Sequence, residues 1–170
     1  TKYLKNFLKR VISKRNGSNL DILSVACGPV MEIQELIKED TAQSNAINLT
    51  LLDREILALN YALNSIYELK VKHVSLLELN CVQSSIQDFL VRSVKKNKKK
   101  AFDIIYSFGL FDYFDETIAR FVIRGLFKML KPDGILLIAN VSMDNNKYRS
   151  FLEFSMEWYL VYRSVDDMSR

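Results

Sequence analysis

Short apolar runs alternate along this chain with longer segments in which apolar residues recur every three or four positions. The short runs predict buried strands, and the longer segments predict helices that bury one face. Parallel strands need crossover connections, so this alternation predicts a mostly parallel sheet with helices on both faces, a doubly wound α/β fold. The predicted strands span residues 21–25, 49–53, 71–77, 102–107 and 134–140.

The predicted helices lie between these strands. The clearest follows Asp115, where seven apolar residues from Ile118 to Leu130 keep helical spacing. Residues 131–134 (Lys-Pro-Asp-Gly) predict a turn, and Ser164 is a candidate start for a short helix. The other helices are predicted near residues 4–12, 30–38, 54–69, 86–94 and 148–163.

Composition narrows the class of protein. The 170 residues are 49% apolar and 26% charged, which fits one folded domain. The net charge of +4 allows an acidic partner without requiring one. The two cysteines, Cys27 and Cys81, are too few for a disulfide framework, so we expect a reducing, cytoplasmic location. The apolar runs are too short for a membrane span, which needs about 20 residues.

Two residues at predicted strand ends point to a bound nucleoside. Gly28 lies in the turn Ala26-Cys-Gly-Pro-Val30 after the first strand, and Asp53 ends the second, 25 positions later. A turn of small residues lets the backbone approach a ligand, and a carboxylate at about this spacing can accept hydrogen bonds from ribose hydroxyls. Taken singly, Gly28 could be an ordinary turn glycine and Asp53 a helix cap. Together they favour nucleoside binding.

Four segments carry a family resemblance: residues 22–30 (ILSVACGPV), 49–53 (LTLLD), 102–114 (FDIIYSFGLFDYF) and 130–140 (LKPDGILLIAN). They resemble the ordered motifs of class I S-adenosylmethionine-dependent methyltransferases, and more narrowly those of the bacterial extracellular-factor type. The resemblance implies a Rossmann-like enzyme with S-adenosylmethionine as cofactor, and residues 1–170 as a single methyltransferase-like domain.

The resemblance also implies residue roles. The turn would contact the methionine part and ribose, Asp53 the ribose diol, and Arg54 the adenine side. Residues expected after the third strand would face the adenine edge, and those after the fourth would lie under the methionine end. The sequence departs from the family pattern at Ser24, Ala26 and Val30. The implied cofactor-binding residues are Ala26, Cys27, Gly28, Pro29, Asp53, Arg54, Asn80, Cys81, Ser107, Phe108 and Gly109.

Methyl transfer needs a general base only if the acceptor must lose a proton. The candidates near the implied methyl position are Asp112, Tyr113 and Asn140. Asp112 could instead be a turn residue, and Tyr113 a wall of the pocket. His73, the only histidine, is expected to be structural or exposed, and no metal site is expected.

Aromatic and basic side chains outside these motifs have plainer interpretations. Trp158, Tyr159 and Tyr162 have helical spacing, which favours a core role over an acceptor pocket. The lysine run 95–100 lacks interleaved aromatic residues, so we read it as a solvated helix end and expect no nucleic-acid partner.

The leading hypothesis is methyl transfer to a small-molecule acceptor, of hydroxy- or carboxylic-acid lipid type. A non-catalytic cofactor-binding or regulatory module is the alternative, and a nicotinamide-dependent oxidoreductase ranks third. Family members usually add an antiparallel hairpin beside the fifth strand, and the sequence ends before one. We therefore expect a fragment of a longer protein, or pairing of another copy at the 134–140 edge.

Overall fold

A computed structural model describes residues 2–15, 19–39, 46–72, 77–95, 101–144 and 149–169. Its centre is a five-stranded sheet in which every paired strand is parallel, as predicted. The strand order is β3-β2-β1-β4-β5, so the order reverses between β1 and β4. The strands are β1 (Leu20–Val25), β2 (Ile47–Asp53), β3 (Leu77–Gln83), β4 (Phe102–Ser107) and β5 (Leu130–Ile138).

Helices cover both faces of the sheet. The first three pack in sequence on one face, and the fourth and fifth pack together on the other. None of the helices described could span a membrane. The helices are α1 (Lys2–Ser13), α2 (Met31–Lys38), α3 (Ile56–Lys72), α4 (Ile86–Lys95), α5 (Glu116–Lys128), α6 (Arg149–Ser155) and α7 (Val165–Met168), with a 3₁₀ turn at Phe111–Tyr113.

The central strand β1 explains the two-sided core. Ile22 packs into the layer of α1, α2 and α3, whereas Leu23 and Val25 pack into the layer of α4 and α5. All three are almost completely buried, and burial of such side chains contributes about 1.5–3 kcal/mol each. Because successive side chains on a strand face opposite sides, one apolar run serves both layers.

The predicted position of the third strand is wrong. Residues 71–72 end α3, and the strand is Leu77–Gln83. As the edge of the sheet, β3 exposes Glu78, Asn80 and Cys81, so it is not the continuous apolar run of a buried parallel strand. Residues 73–76, including His73, and the lysines after α4 lie outside the described residues.

The last helix is also shorter than predicted. It ends at Ser155, and residues 156–163 form an extended segment, named the strap from here on. Glu157 has a left-handed backbone (φ 49°), and Arg163 bridges Ser142 in parallel. Hydrogen bonds to distant backbone groups hold the strap extended, which outweighs the helical spacing of its aromatic residues. The short helix after Ser164 is confirmed, with a capping box to Asp167.

The predicted turn at 131–134 lies within β5. The pairing with β4 shifts register between Phe102 and Ile104, and Asp133 adopts a left-handed conformation (φ 60°). The strand ends at Ile138, so Asn140 follows it. Within the described residues β5 pairs on one side only, as the edge prediction requires.

An ionic cluster ties the opposite, amino-terminal ends of β1, β4 and β5 together. Lys131 Nζ lies 2.5 Å from an Asp21 carboxylate oxygen and 2.7 Å from one of Asp103. Arg15 lies 2.9 Å from the other oxygen of Asp103. The lysine of the sequence Leu-Lys-Pro-Asp-Gly thus bridges carboxylates on two neighbouring strands, and Arg15 supplies a second positive charge.

Candidate functional site

The turn after β1 has an unusual backbone. Ala26 (φ 51°), Gly28 (φ 52°) and Val30 (φ 47°) all adopt the left-handed conformation. A β-branched residue such as Val30 rarely does so, and such strain is often found at functional sites. A Cβ built at Gly28 would have no atom within 4 Å, so this point of the turn faces open space.

Asp53 joins the turn to the end of β2. The Gly28 amide donates to Asp53 Oδ2 at 2.9 Å, and the Glu55 amide donates to Oδ1 at 3.0 Å. The sequence-based expectation that Gly28 and Asp53 share one rim is therefore met. Each carboxylate oxygen has a second lone pair, so Asp53 can accept further hydrogen bonds from a ligand.

A cleft of about 670 Å³ opens beside this rim, beyond the carboxyl ends of the strands. Its volume lies within the range of about 300–1,000 Å³ typical of small-molecule sites. Its position beside the reversal of strand order is where doubly wound folds bind ligands. It is lined by Val25, Ala26, Leu52, Asp53, Arg54, Glu55, Ser84, Ser85, Ile86, Gln87, Leu110, Tyr113 and Phe114.

Two serines of this cleft were missed by the sequence analysis. The hydroxyl of Ser84 is buried and has no hydrogen-bond partner among the residues that the structure describes. Ser85 begins α4: its Oγ donates to Asp88 Oδ2 at 2.8 Å and accepts from the Asp88 amide at 3.1 Å. The pattern Ser85-x-x-Asp88 is a helix-start signal, and it could have placed the end of the third strand just before it.

The prediction that Asn80 and Cys81 follow the third strand is wrong, because the strand was predicted too early in the sequence. Both lie inside β3, where Cys81 pairs in register with Leu51, and Gln83 pairs with Asp53. Cys81 is therefore two residues short of the level of Asp53. The role of these two residues as cofactor contacts stays a prediction.

The three residues predicted as cofactor contacts after β4 are not among the residues that line this cleft. Ser107 is fully buried, and its Oγ donates to the Val25 carbonyl at 3.0 Å. Phe108 packs against the layer of α1, α2 and α3. Gly109 takes a left-handed turn (φ 80°), after which Leu110 reaches the cleft wall.

Two residues of the turn have their own roles. Pro29 accepts a hydrogen bond from Gln34 Nε2 through its carbonyl, at 2.7 Å. Burial, reinforced by the negative charge of Asp53 and by Cys81, raises the pKa of the Cys27 thiol to about 12. Cys27 is therefore a protonated, buried thiol rather than a nucleophile.

Two of the three catalytic candidates anchor the strap. Asp112 accepts from the Val141 amide at 2.6 Å through its side chain, and from the Val161 amide at 2.7 Å through its carbonyl. Asn140 donates to the carbonyls of Val141 at 3.1 Å and Val161 at 2.7 Å. The carbonyl of Asp112 and the side chain of Asn140 thus hold the strap at Val161.

Arg163 completes the anchoring of the strap. Its buried guanidinium donates to the carbonyls of Phe111 at 2.8 Å and Phe114 at 2.7 Å, and to Asn140 Oδ1 at 2.5 Å. Sequence analysis gave no role to this arginine, because its partners, two backbone carbonyls and the side chain of Asn140, are distant in sequence.

Tyr113 connects the cleft to the strap. It lines the cleft and is 54% exposed. Its hydroxyl accepts a hydrogen bond from Trp158 Nε1 at 2.9 Å, and Trp158 is 43% exposed. An aromatic wall therefore continues from the cleft onto the strap. No cluster of acidic, cysteine or histidine side chains suited to a metal ion occurs among the residues described.

The sequence matches the family model described as a methyltransferase domain over residues 16–165. No match is found among the curated proteins.

Solved structures share the fold at low sequence identity. An S-adenosylmethionine-dependent methyltransferase from Archaeoglobus fulgidus is 16% identical with a TM-score of 0.60, and the match covers 99% of this chain and 65% of that one. A complex of DhpI with SAM and HEP is 12% identical with a TM-score of 0.61, covering 95% and 71%. A structure titled for conversion of a disulfide bond into a thioacetal group during echinomycin biosynthesis is 16% identical with a TM-score of 0.59, covering 88% and 59%. The chain thus spans 59–71% of the length of these proteins.

Proposed function

Because the chain belongs to the S-adenosylmethionine-dependent methyltransferase family, we propose that its protein methylates a small-molecule acceptor at the cleft beside Asp53. The hydrogen bond between the Gly28 amide and the Asp53 carboxylate carries this proposal. This bond joins the turn at Gly28, which faces open space, to the Asp53 carboxylate, which can accept hydrogen bonds from hydroxyl groups. Both lie at one rim of a cleft whose volume suits a small molecule.

The residues of the cleft fit the cofactor. Asp53 would bind the ribose hydroxyls, and the turn at Ala26 and Gly28 would lie along the ribose and methionine part. The unpartnered hydroxyl of Ser84 would meet a polar edge of the adenine, since a buried polar atom without a partner is costly. When bound, the cofactor supplies an electrophilic methyl group on a sulfonium. The protein then has to align the acceptor and exclude water.

For the acceptor we propose a molecule with an apolar body, a hydroxy or carboxylic acid of lipid type. Supporting this, exposed aromatic side chains run from the cleft onto the strap: Tyr113, Trp158 and Tyr159. We assign Tyr113 to acceptor contact because it faces the cleft, and we assign Asp112 and Asn140 to positioning the strap. A general base among these three would serve only an acceptor that must lose a proton.

Calorimetric titration with S-adenosylmethionine and S-adenosylhomocysteine tests cofactor binding. Asp53→Asn should weaken binding by about tenfold or more, roughly 1.4 kcal/mol, because an amide cannot accept two hydroxyl hydrogen bonds as the carboxylate does. Asp166→Asn makes the same charge change at an exposed acid on α7 and should leave binding unchanged. Absence of binding at millimolar concentration to the folded protein rejects the proposal.

Trp158, the only tryptophan, reports on the acceptor side directly. With S-adenosylhomocysteine present, hydroxydecanoate should change its fluorescence at concentrations where hydroxybutyrate does not. Tyr113→Phe should shift the emission before any acceptor is added, because the hydrogen bond from the indole is lost. An equal response to both acids argues against an apolar acceptor.

A non-catalytic module is the second candidate. The observation that favours it is the engagement of Asp112 and Asn140 in structural hydrogen bonds. Cofactor binding without formation of S-adenosylhomocysteine across a panel of acceptors would support this alternative, whereas turnover with any acceptor would exclude it.

A further inference from the structure

A second concave site lies between α4 and α5, on the outer side of the helical layer. It has a volume of about 740 Å³ and shares no lining residue with the cofactor cleft. We name it the basic groove. It is lined by Leu90, Val91, Ser93, Thr117, Arg120, Phe121, Arg124, Gly125, Lys128 and Met129.

The floor of the basic groove is apolar. Gly125 lets the two helices approach closely, since a Cβ at this position would lie 2.7 Å from Leu90 Cδ1. Leu90 and Met129 are buried there, whereas Val91 and Phe121 are 46% and 51% exposed. Two large apolar side chains thus border a depression, a feature typical of helix-binding grooves.

The rim of the groove carries one sign of charge. Arg120, Arg124 and Lys128 follow one another at four-residue spacing on α5, and none of the ten lining residues is acidic. Arg120 pairs with Glu116 at 2.7 Å. For Arg124 and Lys128 no ion pair is found in the part of the chain that the structure describes.

The groove and the cleft use different turns of α4. Ile86 and Gln87, in its first turn, line the cleft, whereas Leu90, Val91 and Ser93 line the groove. A ligand can therefore occupy the groove without blocking the cofactor.

We infer that the basic groove docks an acidic amphipathic helix of a partner protein. Apolar side chains of that helix enter between Val91 and Phe121, and its carboxylates face Arg124 and Lys128. Charge complementarity identifies this occupant, because a positive rim raises the local concentration of acidic partners and orients them. A bilayer surface is planar and would leave the concave floor unfilled.

The test uses a fluorescein-labelled helical peptide that carries leucine on one face and glutamate on the other, with binding followed by anisotropy. Arg124→Glu should weaken binding at least tenfold, and Phe121→Ala should weaken it as well. The matched controls are Arg92→Glu and Phe127→Ala, at exposed positions outside the groove lining. Both controls should bind as the unmodified protein does, and thermal melting verifies that all four variants are folded.

Equal weakening by Arg92→Glu and Arg124→Glu overturns the inference, because the attraction is then a general effect of net charge. So does equal binding of a peptide with lysine in place of glutamate. If phosphatidylglycerol vesicles bind through Arg124 while the peptide does not, the groove face is a lipid-binding surface and the inference is wrong.

Discussion

Ala26 has the left-handed backbone that glycine adopts without cost. For a residue with a side chain this conformation costs about 1–2 kcal/mol. The turn holds two such residues, Ala26 and Val30, and between them the left-handed Gly28. The Asp53 carboxylate and the start of α2 fix the turn on both sides. The strained backbone therefore lowers the stability of the protein, and it places the turn at the edge of the cleft.

Ala26→Gly should raise the free energy of unfolding by up to about 1 kcal/mol, because the backbone strain is relieved at a half-buried site. Ala58→Gly, within α3, should lower the free energy of unfolding by about 0.5–1 kcal/mol, as glycine does inside helices. Urea denaturation of both variants measures these opposite changes in the free energy of unfolding. Destabilisation by Ala26→Gly would mean that the turn is not strained.

The two cysteines should differ sharply in reactivity. Cys27 is buried with its pKa raised to about 12, whereas Cys81 is exposed on β3, so iodoacetamide should label Cys81 first. Saturating S-adenosylhomocysteine should leave labelling of Cys81 unchanged, because this residue lies two positions before the end of its strand. Protection of Cys81, read by mass spectrometry, would instead support its predicted contact with the cofactor.

At the scale of elements, Lys131 links three strands at the amino-terminal end of the sheet. Lys131→Met should lower the free energy of unfolding by about 1–3 kcal/mol, because Asp103 is buried and would lose a charged partner. The exposed pair of Arg120 and Glu116 provides the control: Arg120→Met should cost less than about 1 kcal/mol. Equal losses in chemical denaturation would contradict a structural role for the cluster.

The carboxylates of this fold also predict an acid dependence. Burial raises the pKa of Asp21, but hydrogen bonds from Lys131 and Asn48 outweigh burial and leave the pKa below its ordinary 3.8. Hydrogen bonds from Lys5 and Lys9 lower the pKa of Glu39 from 4.5 to about 2. Because both pKa values are lower in the folded state, the stability they contribute is present above the unfolded values and lost as these groups protonate.

The free energy of unfolding should therefore fall as the pH is lowered from 4.5 towards 2. Glu32 acts in the opposite sense, since burial raises its pKa. Lys131→Met should make this decrease in the free energy of unfolding smaller, because Asp21 loses the lysine that lowers its pKa. Urea titrations across this pH range measure the difference. An unchanged acid dependence in that variant would exclude Asp21 as a contributor.

The accuracy of the predicted elements follows from how their residues are buried. Strand β4 was predicted with its observed bounds because Ile104, Ile105 and Tyr106 are buried on both faces. Edge strand β3 has no continuous run of buried apolar residues, so it was predicted at the wrong position. Ser84, which directly follows β3, was therefore not recognised as a residue of the cleft. The strap was wrongly predicted as helix, since hydrogen bonds of Val161 with the Asp112 carbonyl and the Asn140 side chain hold it. The proximity of Gly28 and Asp53 could be predicted, because the small residues of the turn and the spacing between the two positions are visible in the sequence itself.

On the scale of the whole molecule, β5 leaves one strand edge unpaired among the described residues. We expect the chain to self-associate through this edge, since unpaired backbone groups attract another strand. Ile135→Lys places a charge on β5 outside the two core clusters and should shift the sedimentation coefficient to that of a monomer. Val165→Lys, on exposed α7, should not. A monomeric parent chain would contradict this expectation.

The hydrogen bond from Trp158 to Tyr113 links the strap to a ring that lines the cleft. A ligand that fills the cleft against Tyr113 would restrict this ring, and through the hydrogen bond it would also restrict the indole of Trp158. Under the proposed function we therefore expect ordered binding, with the methyl donor binding before the acceptor and the spent donor leaving last.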